Sequence, residues 1–136
     1  MKRALLIVMA LTLLLPAPAA QAAGRRNAKP RAHVAITPVG LNSETGQMDH
    51  LIRVDAADAD GRINEIAIDF GDGVVVFLLL LCDPETQPPG TSVTQEITWG
   101  YSPGHYVVRA VAYSTPDCFS APIQESPPAV RPLNLR

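Results

Sequence analysis
The chain has 136 residues, of which 47% are hydrophobic, 18% charged and 5% aromatic, with 13 prolines and two cysteines. That is one domain's worth of chain, too apolar to be disordered throughout and too poor in cysteine for a disulfide-built mini-fold. No apolar run reaches the roughly 18 residues of a transmembrane helix, and the formal net charge is only −2.

Met1-Lys2-Arg3 is a short basic start, Ala4 to Leu15 is apolar, and small residues follow from Pro16 to Ala22. This order is that of a secretory signal peptide. Ala20 and Ala22 stand where a signal peptidase needs small residues, so residues 1–22 are expected to be removed after Ala22. The product is expected to be secreted, extracellular or held in the cell envelope, with no stable membrane insertion after cleavage. Arg25, Arg26, Lys29 and Arg31 make 23–31 a basic, disordered arm. All 13 acidic residues lie between Ala32 and Glu125, where Arg53, Arg62 and Arg109 are the basic ones. An acidic body repels nucleic acid and excludes it as a partner.

Beyond the arm, turn residues recur every eight to twelve positions: Pro38 and Gly40, Gly46, Asp60-Gly61, Gly71-Asp72-Gly73, Pro84, Pro88-Pro89-Gly90, Pro103-Gly104 and Pro116. The runs between them are rich in strand-forming residues, and His33–Thr37 and Leu51–Val54 alternate as strands do. The runs are His33–Thr37, Leu51–Val54, Ile63–Phe70, Val74–Leu81, Thr91–Trp99 and Tyr106–Tyr113. Six or seven short strands at this spacing predict an all-β antiparallel sandwich or barrel. The domain is expected over 32–125. Proline-rich 126–136 is expected to be an extended tail, because proline donates no ladder hydrogen bond.

Val74–Leu81 is eight apolar residues in succession. A strand turns alternate residues to opposite faces, so Val74, Val76, Leu78 and Leu80 would point one way and Val75, Phe77, Leu79 and Leu81 the other. The second face needs cover. Either the Asp83–Gly90 connection or the proline-rich tail lies over it, or it is an interaction surface for a partner or a second copy.

Asp55, Asp58, Asp60, Asp69 and Asp72 put five carboxylates in one stretch, and oxygen-rich loops suit Ca²⁺. An EF-hand loop does not fit: with Asp58, Asp60 and Gly61 at its third, fifth and sixth positions, its first and twelfth would be Ala56 and Ala67. Turn formation explains the carboxylates better, and no metal site is expected. His33, His50 and His105 lie on separate segments without ligand spacing. No nucleophile elbow or phosphate loop is present, so neither an enzyme nor a cofactor is expected. Export and an even count predict a Cys82–Cys118 bridge. Each cysteine follows a strand end, and if Val74–Leu81 and the Tyr106 strand both run antiparallel to Ile63–Phe70, the two would sit at one end of the sandwich.

Three segments bear a resemblance to the PKD (polycystic-kidney-disease) family. Asp58-Ala59-Asp60-Gly61 resembles its turn between the second and third strands. Phe70-Gly71-Asp72-Gly73 resembles the tight turn after its third strand. Trp99, Tyr101, Pro103, Gly104, Tyr106 and Val108 match its run into the sixth strand. Ile68 stands where that family usually has tryptophan, and Val74–Leu81 replaces polar residues. The resemblance implies a seven-stranded immunoglobulin-like sandwich that is extracellular and non-catalytic. It would act as an interaction, adhesion or structural module whose partner is a protein or a cell-surface glycan, and a glycan- or calcium-binding accessory module is the alternative. Asp58, Asp60, Gly61, Phe70, Gly71, Asp72, Gly73, Tyr101, Gly104 and Tyr106 would then be structural. Tyr106 falls where sandwiches place a tyrosine whose hydroxyl bonds nearby backbone.

Overall fold
The computed structural model describes residues 28–136 except 82, 84 and 119–123. The expected leader lies outside these residues. Among the described residues there is no helix. One sheet has the order β1-β2-β5, with β1 at Arg31–Leu41, β2 at Met48–Ala57 and β5 at Val93–Tyr101. The other runs from β4 (Val75–Leu79) through β3 (Arg62–Asp69) to β6 (Gly104–Thr115). Along the far side of β6 lie β7 (Gln124–Glu125) and β8 (Ala129–Leu135). Every pairing is antiparallel. The result is an immunoglobulin-like β-sandwich of seven strand lanes, the last one interrupted.

Alternation builds the core. In β2, His50, Ile52, Val54 and Ala56 are buried, while Leu51, Arg53 and Asp55 face outward. From the facing sheet come Ile63, Ile66, Ile68 and Phe70, each fully buried, with Val108, Ala110 and Ala112 of β6. Burying each large side chain contributes about 1.5–3 kcal/mol. Ile63 and Ile66 are three apart and still share the inward face, because β3 bulges between Ile63 and Glu65.

Two boundary expectations are corrected. First, 126–136 is extended but not an unpaired tail: Ala129–Leu135 pairs with β6 from Ala110 to Gly104. Ser126 explains how the chain passes its prolines. Its N–H donates to Ala112 O at 2.9 Å, and its Oγ accepts the Ala112 N–H at 3.0 Å. Pro127 and Pro128 follow within a one-residue register slip between the Tyr113–Glu125 and Ala110–Ala129 pairs. Because Ala112 points its backbone groups at this lane, the ladder's alternation turns those of Val107 away. Pro132 stands opposite Val107, so its missing N–H lies on the outer edge and no ladder bond is lost.

Second, the span 23–31 is not wholly a disordered arm. The Ala28 N–H donates to Asp60 at 3.0–3.1 Å, Pro30 is buried, and β1 begins at Arg31. Alternation also puts Arg131 of β8 on the same face as Leu133 and Leu135, and although it is exposed its Nε donates to Val34 O of β1 at 3.0 Å. That bond latches one open side of the sandwich.

Candidate functional site
β4 is the outer edge of its sheet, with β3 as its neighbour. Phe70 N donates to Val74 O at 3.1 Å, and Leu80 N donates to Asn64 O at 2.9 Å. Even-numbered residues therefore direct their backbone groups to β3, and Val75, Phe77 and Leu79 direct theirs outward. Among the described residues no strand pairs with that outward side. The same three residues turn their side chains to the outer face, where Val75 is 48%, Phe77 59% and Leu79 78% exposed. Leu81 continues the row and is also exposed, whereas Val76, Leu78 and Leu80 pack against the core.

The row has apolar neighbours in the middle and charged ones beside them. Phe77 lies opposite Ala67, which lies opposite Val111 on β6. Val75 faces Asp69, whose carboxylate pairs with Arg109 at 3.5 Å, and Leu79 faces Glu65. Before the strand stands Asp72, and after it Asp83 and Glu85. Asp83 is held below the usual carboxylate range by the Glu85 backbone N–H and then by the Thr86 hydroxyl.

Among the described residues, neither expected cover lies over this face. The Asp83–Gly90 connection bonds instead to the start of β3: Gly90 N to Gly61 O, Arg62 Nε to Gln87 O, and Gln87 Nε2 to Ile63 O. The C-terminal segment is occupied at the opposite edge as β8.

The other singled-out residues sit within the scaffold. Asp58 is buried, accepts the Asp60 N–H at 3.3 Å and takes the Ser114 hydroxyl on its second oxygen. A Cβ on Gly61 would meet that carboxylate at 2.5 Å. Asp69 accepts the Gly71 N–H at 2.8 Å and Asp72 the Val74 N–H at 3.0 Å, which closes the turn. Gly71 and Gly73 take φ values of 80° and 94°. The Tyr101 hydroxyl donates to Phe70 O at 3.2 Å, and burial pushes its phenol well above the ordinary value. Tyr106 packs over Gly104 and donates to Ser102 O at 3.0 Å, the bond of a tyrosine corner. Asp58, Asp69 and Asp72 thus accept turn amides, Asp58 also the Ser114 hydroxyl and Asp60 the Ala28 N–H, while Asp55 and Asp69 pair with Arg53 and Arg109. Among the described residues no three or more His, Cys, Asp or Glu side chains are gathered to hold a metal. Cys118 lies just past β6, half-buried. Cys82 is outside the described residues, and so is the expected bridge between them.

No protein-family model matches the sequence, and no curated protein does. Among solved structures the chain is similar to the PKD domain of an M14-like peptidase from Thermoplasmatales archaeon SCGC AB-540-F20. The two are 21% identical, with a TM-score of 0.47 over 80% of this chain and 97% of that PKD domain. The immunoglobulin-like fold of this chain stands on its own two sheets and their strand order.

Several contacts escaped sequence reasoning. Trp99 stacks on Phe70 with ring centroids 4.1 Å apart, and its Nε1–H donates to Asp72 at 2.9 Å. Neither partner is predictable from strand periodicity, because the pair forms between the two sheets. Arg131 and Ser126 lay in a segment whose prolines mask its alternation, although Leu133 and Leu135 two apart carry it.

Proposed function
We propose that the chain is an exported, non-catalytic PKD-type module that acts by binding a partner protein along β4. One observation carries the reading: an edge strand whose outward side chains, Val75, Phe77, Leu79 and Leu81, are apolar and exposed. Soluble domains blunt their edges with charge, proline or cover. An uncharged apolar edge is retained at a cost in solubility, and binding gives that cost a use. The row is mainly aliphatic, with Val75, Leu79 and Leu81 around one exposed ring, Phe77, and this favours a protein over a cell-surface glycan. Sugars stack on exposed aromatic rings, and of the others Trp99 is spent on Phe70 and Tyr101 is buried.

In this reading the chain is cut after Ala22 and works outside the cell or in its envelope, where Cys82 and Cys118 are oxidised to each other. There is no free cysteine among the described residues. In the loop-entropy account such a bridge stabilises by about 3–4 kcal/mol.

The test places a photo-crosslinker at Leu79 and, as control, at exposed Thr98 on the other sheet. Exported protein should begin near Ala23 and should form adducts with envelope protein from position 79 and not from 98. Retention of Met1, or adducts from neither position, would overturn the reading.

A further inference from the structure
We infer that the free edge of β4 takes up an extended strand of its partner by antiparallel strand addition, and that this strand is apolar at alternate positions and carries lysine or arginine at both ends. This rests on the reading of β4 as the interaction strand and states its mode and chemistry.

Two features select the mode. The N–H and C=O groups of Val75, Phe77 and Leu79 point away from β3, as the bonds at Val74 and Leu80 require. Their side chains line one face, so an added strand meets main-chain partners and an apolar row at the same residues. Every second residue of that strand falls beside Val75, Phe77 or Leu79 on the outer face and is best matched by an apolar side chain.

Charge selects the ends. Asp72 stands before β4, and Asp83 and Glu85 stand after it. The hydrogen bonds that Asp72 and Asp83 accept come from neutral donors: the Val74 N–H and the Trp99 indole for Asp72, the Glu85 N–H and the Thr86 hydroxyl for Asp83. Their negative charge is therefore not cancelled. The basic side chains of the body are committed elsewhere: Arg53 to Asp55 and Glu96, Arg62 to the carbonyls of Gln87 and Pro116, and Arg109 to Asp69.

The same charges disfavour a second copy of this chain. Two β4 strands paired antiparallel about Phe77 set Val75 against Leu79 and bring Asp72 of each copy next to the Asp83 end of the other. Acid then meets acid at both ends of the pairing. A basic-ended strand meets the opposite sign at both ends.

The probe is a labelled synthetic peptide of about twelve residues, with valines at alternate central positions, threonines between them and lysine pairs at its ends. It is titrated into the exported chain and followed by amide exchange. The amides of Val75, Phe77 and Leu79 should become protected. The peptide with glutamates for lysines should bind about tenfold more weakly, and added salt should narrow the difference. Asp83→Asn with Glu85→Gln, which removes charge at one end, should narrow it too. Leu79→Lys should abolish binding without disturbing the circular dichroism. Peptide binding that leaves the three amides unprotected, or equal affinity for both peptides, would overturn the inference. So would a dimer of the chain alone that Leu79→Lys dissolves, since the second copy would then be the occupant. Failure here with adducts still formed from position 79 leaves the interaction surface standing and removes only strand addition. Absence of those adducts removes the surface itself.

Discussion
Trp99 lies flat on Phe70, with 7° between the ring planes, and its indole N–H is bonded to Asp72 in the turn that follows Phe70. One side chain of β5 thus joins the two sheets and holds the turn that launches β4. Trp99→Ala should cost about 3 kcal/mol in urea unfolding. Trp99→Phe keeps the stacking and loses one hydrogen bond, so it should cost about 1 kcal/mol. Equal losses in the two variants would show that the Asp72 bond, and not the stacking, joins the sheets.

Gly71 and Gly73 bracket the same turn and differ in what surrounds them. A Cβ on Gly71 would sit 2.7 Å from the backbone N and O of Val107, whereas nothing lies within 4 Å of one on Gly73. Both have positive φ. Gly73→Ala should therefore cost only about 1 kcal/mol, the conformational penalty. Gly71→Ala adds a clash with backbone that cannot move aside and should cost at least about 3 kcal/mol. Comparing their denaturation midpoints tests the difference.

The last lane makes a paired prediction. Ser126→Ala removes the acceptor for the buried Ala112 N–H and should cost about 1–3 kcal/mol. Pro132→Ala restores an N–H on the side that faces away from β6 and should stay within about 0.5 kcal/mol of the parent. A large loss at Pro132 would contradict the ladder phase assigned to β8.

Alkaline pH should unfold the protein through Tyr101. Burial first, then Asp72, Tyr106 and Asp69, raise its phenol above the ordinary value. The unfolded chain loses that proton first, so this contribution to stability is whole below about pH 10 and falls as pH rises past it. Tyr113 is raised in the same direction by burial, Glu125 and Glu65. In an absorbance titration the Tyr101 phenolate should appear only with unfolding, and Tyr101→Phe should lessen the slope of stability against pH. At the acid end the sign reverses. Hydrogen bonds from Arg53 and then Thr94 hold Asp55 below its ordinary value, so its contribution is present above about pH 4 and is lost as pH falls further.

Strand lanes and turns were legible in the sequence because both depend on near neighbours. Period-2 alternation gave the buried sets of β2 and β6, and Gly71-Asp72-Gly73 marked its turn. Splitting Val74–Leu81 into two faces separates the exposed Val75, Phe77, Leu79 and Leu81 from Val76, Leu78 and Leu80 on the core, although Val74, placed with the latter, is exposed. That the Asp83–Gly90 connection leaves the outer face open was not legible, because its course depends on Arg62 and Gln87 meeting across some 25 positions. The strand at Ala129–Leu135 was missed for a related reason. Proline forbids a ladder bond only on the side where one is due, and the side follows from register with β6.

The Arg131 latch also bears on how the module carries load. β1 and β8 lie side by side and run roughly parallel, from the end holding Pro30, Asp58 and Pro127 toward the end holding Gly104 and Leu135. Pulling on Pro30 and Leu135 therefore draws from opposite poles. The strain falls as shear along whole ladders and across the Arg131 clasp, with many bonds stretched at once. Had both points lain at one pole, the same strands would open one bond at a time, like a zip. The fold is mechanically an in-line link, and its apolar β4 edge faces sideways, clear of the line of tension.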